Sequence, residues 1–376
     1  MTESSGVWEF GSVGVRNAHT PIHTDTQEIA RKAENLFLTM QQTDHKIAFF
    51  ETEDWERQFI KDGALSKLRP QVFIERLTSD TAELAKDAEI VSVFVYSEVK
   101  KPTLDQLPNV KLIATRSTGY DHIDLSECHR RNIVVSNVPY YGENTVAEHA
   151  FGLILSLSRK IYKAYLRTTR LDFSLESLKG FDLKDKTIGV IGAGRIGLHV
   201  VRIAKGFGMN VIVFDTRQEP LLAEVLGFTY VPFEELLQRS DVISLHVPLN
   251  PATYHLINKE NVKTIKRGAI LINTSRGGVV ETEALISALN EGIISGAGLD
   301  VFEGEESVKE DTAILAQALP GEKMREVLLS YALLHRENVV ITPHIAFYSQ
   351  EALMRIMQTT EENIQGFIQG KPINTL

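Results

Sequence analysis

A single cysteine, Cys128, stands in the 376-residue chain, which excludes an internal disulfide and points to a reducing compartment. No Cys or His spacing of the zinc type accompanies it, so no metal site is expected. Long apolar runs are missing too. The greasiest stretch, residues 150–158, is far too short to span a bilayer. The opening MTESSGVWEF lacks the basic and then apolar order of a signal peptide, so a cytoplasmic protein is expected. Basic residues are outnumbered, 40 against 49 acidic, for a net charge of −9, which offers no general attraction to nucleic acid or anionic membrane. There is no internal repeat and no low-complexity tract. What remains, 43% hydrophobic and 24% charged residues, is the composition of a folded globular chain, long enough for two domains at about 150 residues each.

From residue 46 onward, short β-branched or aromatic runs alternate with amphipathic segments, the pattern of parallel sheets covered by helices. One group of strands is read at residues 46–50, 72–77, 90–96, 111–115 and 133–136, with a helical stretch at 81–88. A long helix is expected over 144–170, and a polar stretch, 171–186, leads on from it. A second group of six strands follows at 187–191, 210–214, 241–247, 269–273, 296–301 and 339–342. The last helix, 349–369, is placed to return to the first domain. The expectation is therefore α/β architecture with two doubly wound parallel-sheet domains. The first is discontinuous, 1–143 completed by 345–376, around a dinucleotide-binding domain at 144–344. The first 45 residues, with His19 and His23 among threonines, read as a solvated arm and then a helix over 26–40.

The segment TIGVIGAGRIG runs from a buried strand into Gly192, Gly194 and Gly197 and opens a helix. In that context the first glycine permits a tight turn, the second admits a pyrophosphate against the backbone, and the third lets helix and strand pack closely. The free N–H groups of the helix then face the phosphates. Asp215 ends the next strand, NVIVFD, where a carboxylate accepts hydrogen bonds from ribose hydroxyls and disfavours a 2′-phosphate. That selects NAD over NADP.

Ligands of doubly wound sheets gather at the carboxyl ends of the strands. Arg276 follows ILINTS, Glu305 follows GLDV after a short connection, and His344 follows VVITP. Each alone has a plain structural reading: a loop arginine in an ion pair, one acid of the solvated run EGEE, a satisfied histidine after Pro343. Together at strand ends beside a nucleotide turn they form a set. Reduction of a keto acid needs a cation to bind the carboxylate and polarise the carbonyl, and a proton donor for the nascent alkoxide. Arg276 and His344 supply these, and Glu305 is suited to fix the tautomer of His344 and favour its imidazolium.

These residues lie in longer strings, VPYYGENTVAEHA, GVIGAGRIG, DVISLHVPLNPATYHLIN, GAILINTSRGGVVETEAL, GAGLDVFEGEE and VVITPHIAFYS. Together they resemble the NAD-dependent D-2-hydroxyacid dehydrogenases, over about residues 91–370. The resemblance implies Rossmann-like and flavodoxin-like domains that close over the substrate. It assigns Arg276 as the substrate-binding and electrophilic arginine, Glu305 as the partner of the histidine, and His344 as acid/base. It also implies pyrophosphate contacts at Arg195 and Ile196, and nicotinamide and ribose contacts from Val247, Pro248, Thr253, Thr274, Ser275 and Asp300. RSTGYDHID is similar to the family's carboxylate loop, which implies substrate contacts from the backbone of Thr118 and Gly119.

Within the family the nearest likeness is to the D-lactate dehydrogenases. Tyr141 matches their loop tyrosine, and both the 39-residue separation of Glu305 from His344 and the pair Phe347 and Tyr348 fit that branch. Where lactate-type sequences read Tyr-Ser-Pro-Asn, this chain has Tyr141, Gly142, Glu143 and Asn144. The implied reaction is NADH-dependent reduction of a 2-keto acid to a D-2-hydroxy acid, pyruvate to D-lactate first. The alternatives are glyoxylate, hydroxypyruvate or a bulkier keto acid and, from another class, an NAD(H)-sensing binding protein or corepressor. The resemblance also implies a homodimer, paired through the nucleotide domains and the bridging helix.

Overall fold

The computed structural model describes residues 45–305 and 321–376. The arm and helix expected before residue 45 lie outside the described residues, as does residues 306–320 of the stretch between Glu305 and His344. Two all-parallel sheets organise the rest. The chain divides into two compact units, Met1–Asn137 with Thr359–Leu376, and Val138–Gln358.

In the first unit β1 (Ile47–Phe49), β2 (Gln71–Val72), β3 (Ile90–Val93), β4 (Leu112–Thr115) and β5 (Val134–Ser136) pair in the order β2-β1-β3-β4-β5. All four residues of β3 and of β4 are buried, as a sheet covered on both faces requires. Cys128 lies in this core, where burial pushes its thiol up to about 11, so it stays protonated and inert. The chain's end returns here: Leu376 N–H donates to Val135 O (3.0 Å) and Ser136 Oγ to Ile373 O (2.9 Å). Asn363 Nδ2 donates to Asn137 O (2.8 Å).

The second unit holds β6 (Thr187–Ile191), β7 (Asn210–Phe214), β8 (Thr229–Tyr230), β9 (Val242–Leu245), β10 (Ala269–Asn273), β11 (Ile294–Leu299) and β12 (Val339–Ile341). Their order, β12-β11-β10-β9-β6-β7-β8, reverses between β6 and β9, where ligands of such sheets bind. Side chains alternate strictly across the sheet. Ile188, Val190, Val211, Val213, Ile270 and Ile272 enter one buried cluster with the helices Glu143–Ser158 and Arg195–Gly206. Ile191, Ile212, Ile243, Leu245 and Leu271 enter another on the opposite face. Gly298 on β11 has no room for a side chain, since a Cβ there would stand 2.9 Å from Leu153 Cβ; its absence lets the helix Glu143–Ser158 pack tightly.

Several expectations are corrected. The second sheet has seven strands, not six, because the two-residue edge strand β8 is too short to carry a periodicity. In the first sheet, β2 ends at Val72 rather than at residue 77; beyond it the chain swings outward and leaves Ile74 exposed. The stretch read as a helix at 81–88 is one 3₁₀ turn, Ala82–Ala85. The long helix expected over 144–170 is two, Glu143–Ser158 and Ile161–Thr168, because Lys160 adopts a left-handed φ of 56°, a conformation no helix interior admits. Finally, the boundaries between units fall after Asn137 and after Gln358 rather than at 143 and 344. Residues 345–358 stay with the second unit because Asp300 holds their backbone and Arg355 Nε donates to Tyr141 O (2.6 Å).

Candidate active site

The carboxyl ends of β6, β7, β9, β10, β11 and β12 bring most of the expected residues to one edge of the second sheet. At the end of β6, Gly192 has φ 98° and faces His246 O, which a Cβ would approach to 2.5 Å. A Cβ on Gly197 would stand 1.9 Å from Gly192 O, so that glycine is required by the turn itself. Gly194 differs, with an ordinary φ of −69° and nothing within 4 Å of where a Cβ would stand. Nothing in the chain demands a glycine there; a ligand lying against the backbone would. Gly194 also caps the helix Arg195–Gly206 without any side-chain bond to its first N–H groups, which leaves those donors for an anion. Ile196 is half-buried against the core and Arg195 projects outward.

Asp215 follows β7. Its carboxylate accepts Ala193 N–H (2.6 Å) and Arg217 N–H (2.8 Å), tying the glycine turn to the acid and leaving lone pairs for hydroxyl donors. The Arg217 guanidinium turns away to Glu219 (2.8 Å), so no cation is aimed at a 2′-phosphate from this position. After β9, Val247 packs beside Gly192, and Thr253 Oγ1 donates to Pro248 O (2.5 Å) to close the turn. Thr274, after β10, has a buried hydroxyl with no hydrogen-bond partner. A buried unsatisfied hydroxyl costs about 1–3 kcal/mol, so Thr274 and the open face of Gly194 both fit a dinucleotide.

Arg276 stands three residues beyond β10. The buried side chain of Asn273 shapes its loop by accepting Ser275 N–H (3.0 Å) and Ser275 Oγ–H (2.7 Å) and by donating to Arg276 O (2.9 Å). Arg276 Nη1 donates to Ser275 O (2.8 Å). His344, beyond β12, takes a left-handed φ of 57°. Asp300, 1% exposed, enforces that turn: its carbonyl accepts His344 N–H (3.0 Å) and its carboxylate accepts Thr342 Oγ1–H (2.6 Å), Ile345 N–H (2.9 Å) and Ala346 N–H (2.8 Å). Asp300 thus spends its carboxylate on the histidine loop. His344 Nδ1 lies 3.1 Å from Glu305 Oε1, an arrangement that assigns the proton to Nδ1 and leaves Nε2 as the other ring nitrogen for proton exchange. The Phe347 ring stands edge-on to His344 at 6.4 Å, and that of Tyr141 edge-on to Phe347 at 6.2 Å.

Thr118 and Gly119 belong to the first unit, at the carboxyl end of β4. There Asn137 Nδ2 donates to Thr118 O (2.9 Å) and Ser117 Oγ to Gly119 O (2.6 Å). Asn273 and the positioning part of Asp300 escaped sequence reasoning, and Phe347 was read only as a mark of the lactate-type branch. A short polar residue ending an apolar strand, as Asn273 does in ILIN, is the one signal that marks such a turn organiser.

Residues 151–346 match the family described as D-isomer specific 2-hydroxyacid dehydrogenase, NAD binding domain. D-lactate dehydrogenase of Escherichia coli is 37% identical over 330 residues, 87% of this chain and 98% of that protein. This chain belongs to the D-2-hydroxyacid dehydrogenase family. It is an NAD-dependent oxidoreductase of that family. Glyoxylate reductase of Korarchaeum cryptofilum is 35% identical over 340 residues, 89% of this chain and 93% of that protein. Among solved structures, D-lactate dehydrogenase from Aquifex aeolicus complexed with NAD and lactic acid superposes with a TM-score of 0.78. It is 38% identical, over 87% of this chain and 96% of that one. Among the described residues no helix is long and apolar enough to cross a membrane.

Proposed function

We propose that this dehydrogenase reduces pyruvate to D-lactate in the cytoplasm, as a homodimer. The observation that carries the chemistry is the His344–Glu305 contact of 3.1 Å at the strand end beside Arg276. When bound, NADH supplies the hydride. Arg276 binds the substrate carboxylate and draws electron density from the ketone, which makes the carbonyl carbon electrophilic. His344 gives its Nε2 proton to the alkoxide oxygen as general acid, and Glu305 holds Nδ1–H so that the ring is correctly turned. In the oxidative direction neutral His344 removes the same proton. Gly194, Arg195, Ile196 and the helix N-terminus carry the pyrophosphate, Asp215 the adenosine ribose, and Val247, Pro248, Thr253, Thr274 and Ser275 the nicotinamide side.

Pyruvate is favoured because Phe347 and Tyr141 form an aromatic wall on the His344 side, which suits a methyl group. The likeness to proteins named D-lactate dehydrogenase points the same way. Glyoxylate is the second reading, supported by the relative named glyoxylate reductase. The homodimer reading rests on the apolar side chains exposed beyond the helix Glu143–Ser158, Tyr165 (63%), Leu171 (84%), Phe173 (74%) and Leu175 (83%), a patch of the kind partners cover.

The test follows NADH absorbance with pyruvate, phenylpyruvate, 2-ketoisocaproate, glyoxylate, hydroxypyruvate and 3-phosphohydroxypyruvate. Pyruvate is expected to give the highest kcat/KM, and His344→Ala to lower kcat by about 10²–10⁴-fold with NADH binding retained. Preference for glyoxylate or a larger acid moves the substrate assignment. Binding of NADH without turnover on any acid replaces the enzyme with a sensor.

A further inference from the structure

Arg195, the first residue of the helix that faces the dinucleotide phosphates, is already engaged. Its guanidinium lies 3.5 Å from the centroid of the Tyr140 ring, and its Nη1 is 3.7 Å from Glu143 Oε1. All three residues belong to the second unit. Glu143 opens the helix Glu143–Ser158, so its backbone is fixed by the helix start. It also stands where lactate-type sequences carry proline, a residue with no charge to offer Arg195. The Arg195 side chain is 62% exposed and that of Glu143 23%, so the arginine has more room to move than the acid.

A pyrophosphate entering at Gly194 needs the same guanidinium. It must draw Arg195 from the Tyr140 face and the Glu143 carboxylate, or share it and accept a fixed negative charge well inside one Debye length. Either way the pair opposes the phosphates. We propose that Glu143 and Tyr140 are an intramolecular competitor for Arg195 that sets the dinucleotide affinity of this enzyme. The proposal rests on the glycine turn being the dinucleotide site. It goes beyond that reading by naming residues that weaken binding rather than make it.

The experiment is titration of the full-length protein with NADH, followed by nicotinamide fluorescence. Glu143→Gln, close in shape and uncharged, is expected to lower the Kd by about two- to fivefold at low salt, the scale of an exposed ion pair. The gain shrinks in 0.5 M salt and vanishes when Glu143→Gln is made together with Arg195→Met. Tyr140→Leu moves the Kd in the same direction by a smaller factor, and a thermal melt of each variant verifies folding. An unchanged or raised Kd in Glu143→Gln overturns the proposal, as does an equal gain in the Arg195→Met background, which would mean that the charge acts on the dinucleotide directly. Those outcomes leave the cofactor site standing. Failure of the unsubstituted protein to bind NADH would bring down the cofactor site and this inference together.

Discussion

The two parallel sheets of this dehydrogenase treat buried polar groups in opposite ways. In the first unit Arg116 is wholly buried and fully used: Nε donates to Glu56 (3.0 Å), Nη1 to Ser92 (3.1 Å), and Nη2 to the carbonyls of Phe50 (2.7 Å) and Glu51 (2.8 Å). In the second unit polar atoms are left over. Every buried side-chain nitrogen or oxygen without a partner among the described residues belongs to it, including Thr274 Oγ1 and His246 Nδ1 at strand ends. Polar groups in a pure scaffold are satisfied internally, because an orphan there has nothing to offset its desolvation. Orphans at the carboxyl ends of β9 and β10, His246 and Thr274, mark the unit built to receive a ligand.

The largest blow to this contrast comes from Arg116. Replacing it by Ala strands the Glu56 carboxylate in the core and is expected to cost about 3–5 kcal/mol, read by denaturant unfolding with the fluorescence of neighbouring Trp55. Stability equal to that of the parent protein would show that the ionic cluster is not what holds the first unit.

A sharper comparison lies within one motif. Gly197→Ala forces a Cβ to 1.9 Å from Gly192 O and is expected to destabilise the second unit by about 1–3 kcal/mol. Gly194→Ala meets open space, so the melting temperature should hold while NADH binding weakens by roughly tenfold, the same steric cost now falling on the complex. If Gly194→Ala melts early, that glycine serves the fold and the open space is not a phosphate cradle.

The smallest effect is a pH dependence. His246, bonded through Nε2 to Ser244 Oγ (2.8 Å), is held by burial at about 3, against an ordinary 6.5. The unfolded chain therefore takes up a proton that the folded chain refuses. This contribution is complete above about pH 6.5 and is lost as pH falls toward 3, by roughly 1–2 kcal/mol at pH 5. In His246→Gln the slope of stability against pH between 6.5 and 4 should flatten; an unaltered slope would mean that the imidazole is not shielded.

Much of this architecture was legible along the chain. The β-branched runs that became β6, β7 and β10 have the expected bounds, since a strand buried on both faces is a continuous apolar run. The glycine turn, Asp215, and the order of Arg276, Glu305 and His344 after their strands were readable because each is local to a strand end. The edge strands β2 and β8 were not, being too short to hold a pattern. Neither was the break at Lys160, which no glycine or proline announces. The unit boundary at 358 escaped because the helix Gln350–Ile368 is continuous across it.

The sequence by itself determined the sheet order's raw material, the phosphate turn and the reactive residue types, because these depend on spacing over a few residues and on side-chain chemistry. Only the tertiary structure decided which polar groups are satisfied. Asp300 is joined to Ala346 across 46 positions, Arg116 to Glu56 across 60, and Arg195 to Glu143 and Tyr140 at and before the start of a different helix. Hydrogen bonds and ion pairs act over a few ångströms of space. Which residues come that close is set by the packing of whole elements and by no local pattern.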